Sequence, residues 1–287
     1  MRVLRWLVIA LGFLFAALPL FWMGLSSLKR QADTINPHVK FVPSLAPVAD
    51  PDSHAFELTG AAYSGLNVVH AGAQASFWEH LANSVIVGVL STLASVLLGT
   101  SCAYGFSRFR IAGAKDWLFF ILSTRFMPPL AVVVPVLMMY RKLDLQGTHA
   151  GLVLLYTVFN LSLSVWLMKG FLDEIPRAFE EAALVDGYSR LQAFVRVVLP
   201  EARTGMAVTA VFCLISAWNE YGFAMTLNSS GAVTVPAYFA GLQGNIEGMP
   251  WPQIAAGALV FVAPIVLFTI LVRGHLLRGV TFGTIKQ

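Results

Sequence analysis

Apolar residues run along this chain in long blocks separated by polar segments. Six blocks are each about 20 residues long, the length a helix needs to cross a hydrocarbon core about 30 Å thick. They lie at 6–25, 81–106, 117–139, 151–171, 206–227 and 253–272. A closed barrel would instead show segments of about 10 residues in alternating polarity, and that pattern is missing. The blocks therefore predict an all-α, polytopic membrane protein with six transmembrane helices. The first block follows Arg2 and Arg5, as a secretory signal would. It is longer than the apolar part of a signal and no small-x-small cleavage site follows, so it reads as a retained helix.

The basic residues orient these spans. With the N-terminus inside, thirteen of the nineteen Lys and Arg fall on the inside, counting Lys169 at the inner end of the fourth block, five fall outside, and Arg125 lies within a span. This asymmetry predicts that both termini are cytoplasmic. The chain then divides into an N-terminal transmembrane helix (1–28), an extracytoplasmic loop (29–80) and a core transmembrane domain (81–287). The core includes a long cytoplasmic loop at 172–205. In the outer segment, Pro37, Pro43, Pro47 and Pro51 break any regular helix. That segment serves as a lid or docking surface, or only as a tether; its composition leaves both open.

Composition agrees. Hydrophobic residues make up 57% of the chain and charged residues 12%, with a mean hydropathy of +0.72. A soluble domain carries about a quarter charged residues. Cys102 and Cys213 both sit inside apolar runs, where they read as small packing residues rather than a disulfide framework.

The 172–205 loop carries the most specific signal. From Glu180 it reads EEAALVDGYSRLQAFVRVVLPEA. Pro176 suits the first turn of a helix, and Ala182 and Ala183 give a narrow face that another protein can approach closely. Gly187 can take a positive φ, ending one short helix and sending a second off at an angle. Leu191, Phe194, Val195 and Val198 give the second helix an apolar face, and Pro200 is expected to stop it.

With its spacing of Glu181-Ala182-Ala183, three residues, Gly187, nine residues, Val197, one residue and Leu199-Pro200, the loop resembles the signature of inner-membrane permeases of binding-protein-dependent ABC importers. Val197 stands where the family more often has Ile. Asn83-Ser84, Ala103-Tyr104-Gly105-Phe106-Ser107-Arg108, Trp218-Asn219-Glu220, Pro264 and Arg278-Gly279…Gly283…Lys286 extend the resemblance over nearly the whole chain. The plan looks like the second-permease class of the carbohydrate and polyol branch. The resemblance implies a bacterial inner membrane, and a coupling-helix elbow that sits in a cleft of an ATPase subunit. Glu181 would make a polar contact there, with Ala182, Ala183, Asp186, Gly187, Leu199 and Pro200 shaping the fit. It further implies a second homologous permease, two ATP-binding-cassette ATPase subunits and an extracytoplasmic solute-binding protein as partners.

Polar groups inside the spans are candidates to meet a solute. Arg125 lies just before Pro128-Pro129, and its burial in hydrocarbon costs at least about 2.5–3.5 kcal/mol. It either contacts the solute or forms a structural pair with a carboxylate or carbonyl. Trp218, Asn219 and Glu220 either line a pathway, Trp218 offering an aromatic face, or serve helix packing. Tyr156 and Asn160 follow on the same logic, with Ser162 beside them.

Several chemistries are excluded. No Gly-x-x-x-x-Gly-Lys-[Ser/Thr] occurs, so no cofactor is expected in this chain, and ATP and Mg belong to partner ATPase subunits. No metal-ligating or nucleophile motif appears, which argues against an enzyme. The basic residues follow topology rather than forming a patch, which argues against nucleic acid; membrane lipid and a small-molecule solute are the expected surroundings. An ion-coupled secondary transporter is the alternative reading. It predicts several intramembrane carboxylates, yet only Glu220 falls clearly within a span.

Overall fold

A computed structural model describes residues 2–48, 50, 52–69, 75–242 and 248–281. Pro51, Gly283, Lys286 and the side chain of Arg278 lie outside the described residues. The described elements are almost all helices: α1 (Arg2–Ser27), α2 (Gln31–Thr34), α3 (Ala61–Gly65), α4 (Phe77–Arg108), α5 (Ala114–Ser123), α6 (Pro129–Lys142), α7 (His149–Glu174), α8 (Arg177–Val185), α9 (Arg190–Ala193), α10 (Leu199–Glu201), α11 (Arg203–Trp218), α12 (Gly222–Leu227), α13 (Val235–Gly241) and α14 (Trp251–Thr281). The chain falls into two compact units, one of Met1–Leu81 with Tyr238–Pro264, the other of Ala82–Ala237 with Ile265–Gln287.

Four helices are long and apolar enough to cross a membrane alone, and two bent pairs raise the number to six. The first pair, Ala114–Phe126 and Ala131–Lys142, bends by 92° where Pro128 and Pro129 remove backbone donors. The second pair, Arg190–Glu201 and Arg203–Trp218, bends by 72° at Ala202. The second helix of the 172–205 loop thus ends at Glu201, one residue past Pro200 and before the next span begins, in line with the sequence expectation. Ahead of Pro200, which has no N–H to donate to the carbonyl four residues back, the helix widens into a π-helical turn over Phe194–Val198. The expected fifth span is also interrupted: α11 ends at Trp218 and α12 begins at Gly222.

In the first unit, α1 leaves nearly all of its apolar side chains uncovered, as a helix solvated by hydrocarbon does. The proline-rich segment after it forms two short helices and one small sheet, in which β1 (Val42–Ser44) runs parallel to β2 (Ala55–Glu57), Val42 opposite Ala55. Phe56, Ala62, Leu66 and Phe77 are buried beneath it. Lys29 is buried too, lying 4.4 Å from the Trp22 ring centroid. Burial lowers its pKa, and the Asp33 carboxylate partly opposes that shift.

The second unit is built on α4, α7 and α11. α4 crosses α7 at Gly99, where a Cβ would fall 2.2 Å from Ser164 Oγ, so only glycine permits this approach. Polar groups bind the helices further: Ser95 Oγ donates to the Thr157 carbonyl at 3.2 Å, and Asn160 Nδ2 to that of Cys213 at 3.2 Å. One apolar cluster gathers Val87, Leu152, Leu155, Phe223 and Leu227; a second gathers Ala103, Tyr104, Met168, Leu172, Val198 and Ala202. Asn83 and Ser84 bind the 233–235 segment, through the Val233 carbonyl at 3.0 Å and the Val235 N–H at 2.9 Å.

Candidate functional site

The loop singled out by its spacing folds as a helical elbow. Neighbouring residues on a helix point about 100° apart. On α8 this turns Glu180 and Ala183 inward, and leaves Glu181, Ala182 and Val185 exposed. Gly187 has a φ of 86°, as the turn requires. Its N–H donates to the Leu184 carbonyl at 3.1 Å, and the Tyr188 N–H to that of Ala183 at 3.0 Å. These are the two bonds of a Schellman termination, with Asp186 as the exposed C-cap. Ser189 then opens α9 with a capping box to Gln192, so both sides of the turn are defined by local chemistry. On the second arm Leu199 is half-buried and Pro200 exposed.

Beneath the elbow lies a cluster that sequence reasoning did not select. Glu180 is 5% exposed. One of its carboxylate oxygens accepts from the Tyr104 hydroxyl at 2.5 Å, the other from Arg108 Nε at 3.1 Å. The same guanidinium donates to Ser107 Oγ and to the Ile175 carbonyl, each at 3.0 Å. Ser107 Oγ donates to Asp173 at 2.6 Å, and Arg177 donates to the Ser107 carbonyl at 2.9 Å. Tyr104 and Arg108 stand in the Ala-Tyr-Gly-Phe-Ser-Arg stretch at the end of α4, so the signal was present. What it lacked was any indication of which glutamate, 180 or 181, turns toward it.

A second polar site occupies a cavity of about 200 Å³ lined by Arg125, Tyr156, Asn160, Ser216 and Glu220, with Phe159 and Phe223 among its apolar walls. Arg125 reaches three neutral acceptors, the Phe159 carbonyl and Ser216 Oγ at 3.3 Å each and Asn160 Oδ1 at 3.5 Å. No carboxylate among the described residues pairs with it. Glu220 sits at the break between α11 and α12. It accepts from the Tyr156 hydroxyl at 2.7 Å and from the N–H groups of Phe223 and Ala224 at 3.0 and 3.2 Å. An interrupted helix in a membrane needs such an acceptor for its freed donors. The cavity thus unites Arg125, Tyr156, Asn160 and Glu220.

Two expected members stand apart. Trp218 is 5% exposed, and its ring lies against Gly88, 3.2 Å from where a Cβ would stand, so it offers no open aromatic face. Asn219 is exposed and donates to the Ile215 carbonyl at 2.9 Å, one turn back in its own helix. Ser162 likewise donates within its helix, to Phe159. A roomier cavity, about 460 Å³, lies in the first unit between Trp22, Lys29, Lys40 and Trp251, and contains none of the residues selected from the sequence.

Interrupted apolar helices, a small polar cavity among them and a capped elbow at the helix ends define a multi-pass helical membrane protein of transporter type. Comparison with known proteins narrows the class. The chain belongs to the family described as binding-protein-dependent transport system inner membrane component, whose model matches residues 95–281. It is 30% identical over 285 residues to a probable ABC transporter permease protein of Sinorhizobium fredii, covering 99% of this chain and 94% of the relative. It is 32% identical to a trehalose transport system permease protein of Mycobacterium tuberculosis, covering 73% and 77%. It is 28% identical to a sulfoquinovosyl glycerol transport system permease protein of Agrobacterium fabrum, covering 93% and 88%. The fold is also that of a chain in a bacterial ABC transporter for the import of the acidic polysaccharide alginate, with a TM-score of 0.72, 21% identity and 95% of each chain covered. The protein is therefore a multi-pass inner-membrane permease subunit, which is not itself an enzyme. Membership implies ATPase and solute-binding partners.

Proposed function

We propose that this chain is a pore-forming permease that carries a sugar, polyol or related small hydroxylated solute into the cytoplasm by alternating access. The elbow is the observation that carries this reading. α8 presents Glu181 and Ala182 on an exposed narrow face, and Gly187 turns the chain with no side chain in the way. A motor subunit can approach that face closely, and its closure around ATP would displace the elbow as one piece. ATP and Mg belong to two separate ATP-binding-cassette ATPase subunits. A second homologous permease completes the pathway, and an extracytoplasmic binding protein delivers the solute. Both termini and the elbow face the cytoplasm, and the 29–80 segment faces outward. The trehalose and sulfoquinovosyl glycerol systems of the relatives support a polyhydroxylated solute. The mixed donors and acceptors of the Arg125 cavity suit one chemically.

Reconstitution of the whole importer in liposomes tests this. A Cβ at Gly187 would meet nothing of this chain within 4 Å, but the glycine's φ of 86° strains any other residue there, so the loss of uptake is read beside the stability of the purified complex. Gly187→Asp is expected to lower ATP-driven uptake by about tenfold or more while the binding protein captures solute normally. Unchanged uptake would overturn the reading. Uptake driven by an ion gradient without ATPase subunits would replace it with a secondary transporter.

A further inference from the structure

A docked motor moves a membrane helix only if the docking element is joined to that helix more stiffly than the helix resists. The elbow meets this condition at one turn of α4. From its first arm, Glu180 reaches Tyr104 and Arg108. From its second arm, Phe194 packs on the Tyr104 ring, centroids 4.4 Å apart, and Val198 enters the same apolar cluster. The stretch between α7 and α8 is held there too, by Arg108 on the Ile175 carbonyl. Tyr104 thus touches both arms at once, with its hydroxyl on one and its ring on the other.

The Arg108–Glu180 pair is buried, with side chains 4% and 7% exposed. Buried ion pairs add little net stability compared with apolar packing, but they hold one geometry and tolerate the loss of neither partner. Here both carboxylate oxygens and all three guanidinium nitrogens are engaged, so the geometry is fully specified. α4 itself runs 32 residues without an internal proline, whereas α11, which follows the elbow's second arm along the chain, meets it through a 72° bend. A straight rod transmits displacement along its length; a bent joint absorbs it.

We infer that Tyr104, Arg108 and Glu180 are positioning residues for transport, locking both arms of the elbow to α4 so that motor closure drives α4 instead of swinging the elbow alone. This rests on the reading of the elbow as the motor's docking element. Glu181 would face the motor and Glu180 the rod, two adjacent carboxylates with separate tasks.

The test uses the complete importer in liposomes, in a background without Cys102 and Cys213, with two readouts that need no knowledge of the solute. One is a disulfide between Ala182→Cys and a cysteine in the facing cleft of the ATPase, which reports docking. The other is the change in maleimide labelling of Ser216→Cys, in the cavity, between nucleotide-free and ATP–vanadate-trapped states. Glu180→Gln should keep the docking disulfide and hydrolyse ATP within about twofold of the parent, yet lose at least about fivefold of the labelling change. Tyr104→Phe, which removes only a hydroxyl, should lose part of it, and the exchanged pair Arg108→Glu with Glu180→Arg should regain part. A full labelling change in Glu180→Gln would overturn the joint. Loss of the docking disulfide in Tyr104→Phe would also overturn it, since the cluster would then merely fold the elbow. Gly187→Asp run alongside separates the two ideas, because normal docking and uptake in that variant would remove the docking reading itself.

Discussion

Beneath the elbow, Arg108 meets Glu180 at 3.1 Å with every polar atom engaged; in the cavity, Arg125 and Glu220 line one space of about 200 Å³ without forming a pair. Both regions place an arginine and a glutamate in the same unit, the first two buried and the second two partly exposed to their cavity. In the first, charge answers charge, which leaves nothing over for a ligand and makes a fixed joint. In the second, each charge is held by neutral groups: Arg125 by a carbonyl, an amide and a hydroxyl, Glu220 by a tyrosine and two backbone donors. Those weaker ties can be exchanged for a visitor's hydroxyls. On the proposed reading, full pairing suits transmission and partial pairing suits traffic.

Three substitutions press on this contrast. Glu180→Ala strands a buried guanidinium, and is expected to destabilise the protein by about 3–5 kcal/mol, read as a loss of thermal stability in purified complex. Arg125→Met should cost no more than about 1 kcal/mol, because its partners are neutral and relief from burying the charge offsets the lost hydrogen bonds. If Arg125→Met proved as costly as Glu180→Ala, the two sites would be alike and the contrast would fail. Glu181→Ala, on the exposed face of α8, should change stability by less than about 0.5 kcal/mol while lowering copurification of the ATPase subunits.

Much of this was legible in the residues. Block length marked each apolar stretch, and the interval from Glu181 to Gly187 located a turn whose positive φ the structure displays. Legibility failed where a feature depends on contacts far away along the chain. Hydropathy averages over the 219–221 break, because Glu220 supplies the acceptors that let apolar helices stop and restart there. Pro200 marks the end of its helix, but no local rule announces the π-helical widening just before it. Trp218 was left open between a pathway face and helix packing; Gly88 on α4 leaves a slot for the indole, and nothing near position 218 announces that. Choosing between Glu180 and Glu181 required knowing where an arginine 72 residues earlier would stand.

The widened turn at Phe194–Val198 has one more consequence. A π turn takes up one residue more than an α turn, and one residue is about 100° of rotation. It therefore acts as an angular index for the rest of the elbow's second arm, setting the azimuth at which Leu199 and Pro200 come up to the bend at Ala202. With an ordinary turn in its place, those two side chains would point roughly a quarter-turn away, and their neighbours would occupy the surface a docked partner meets there.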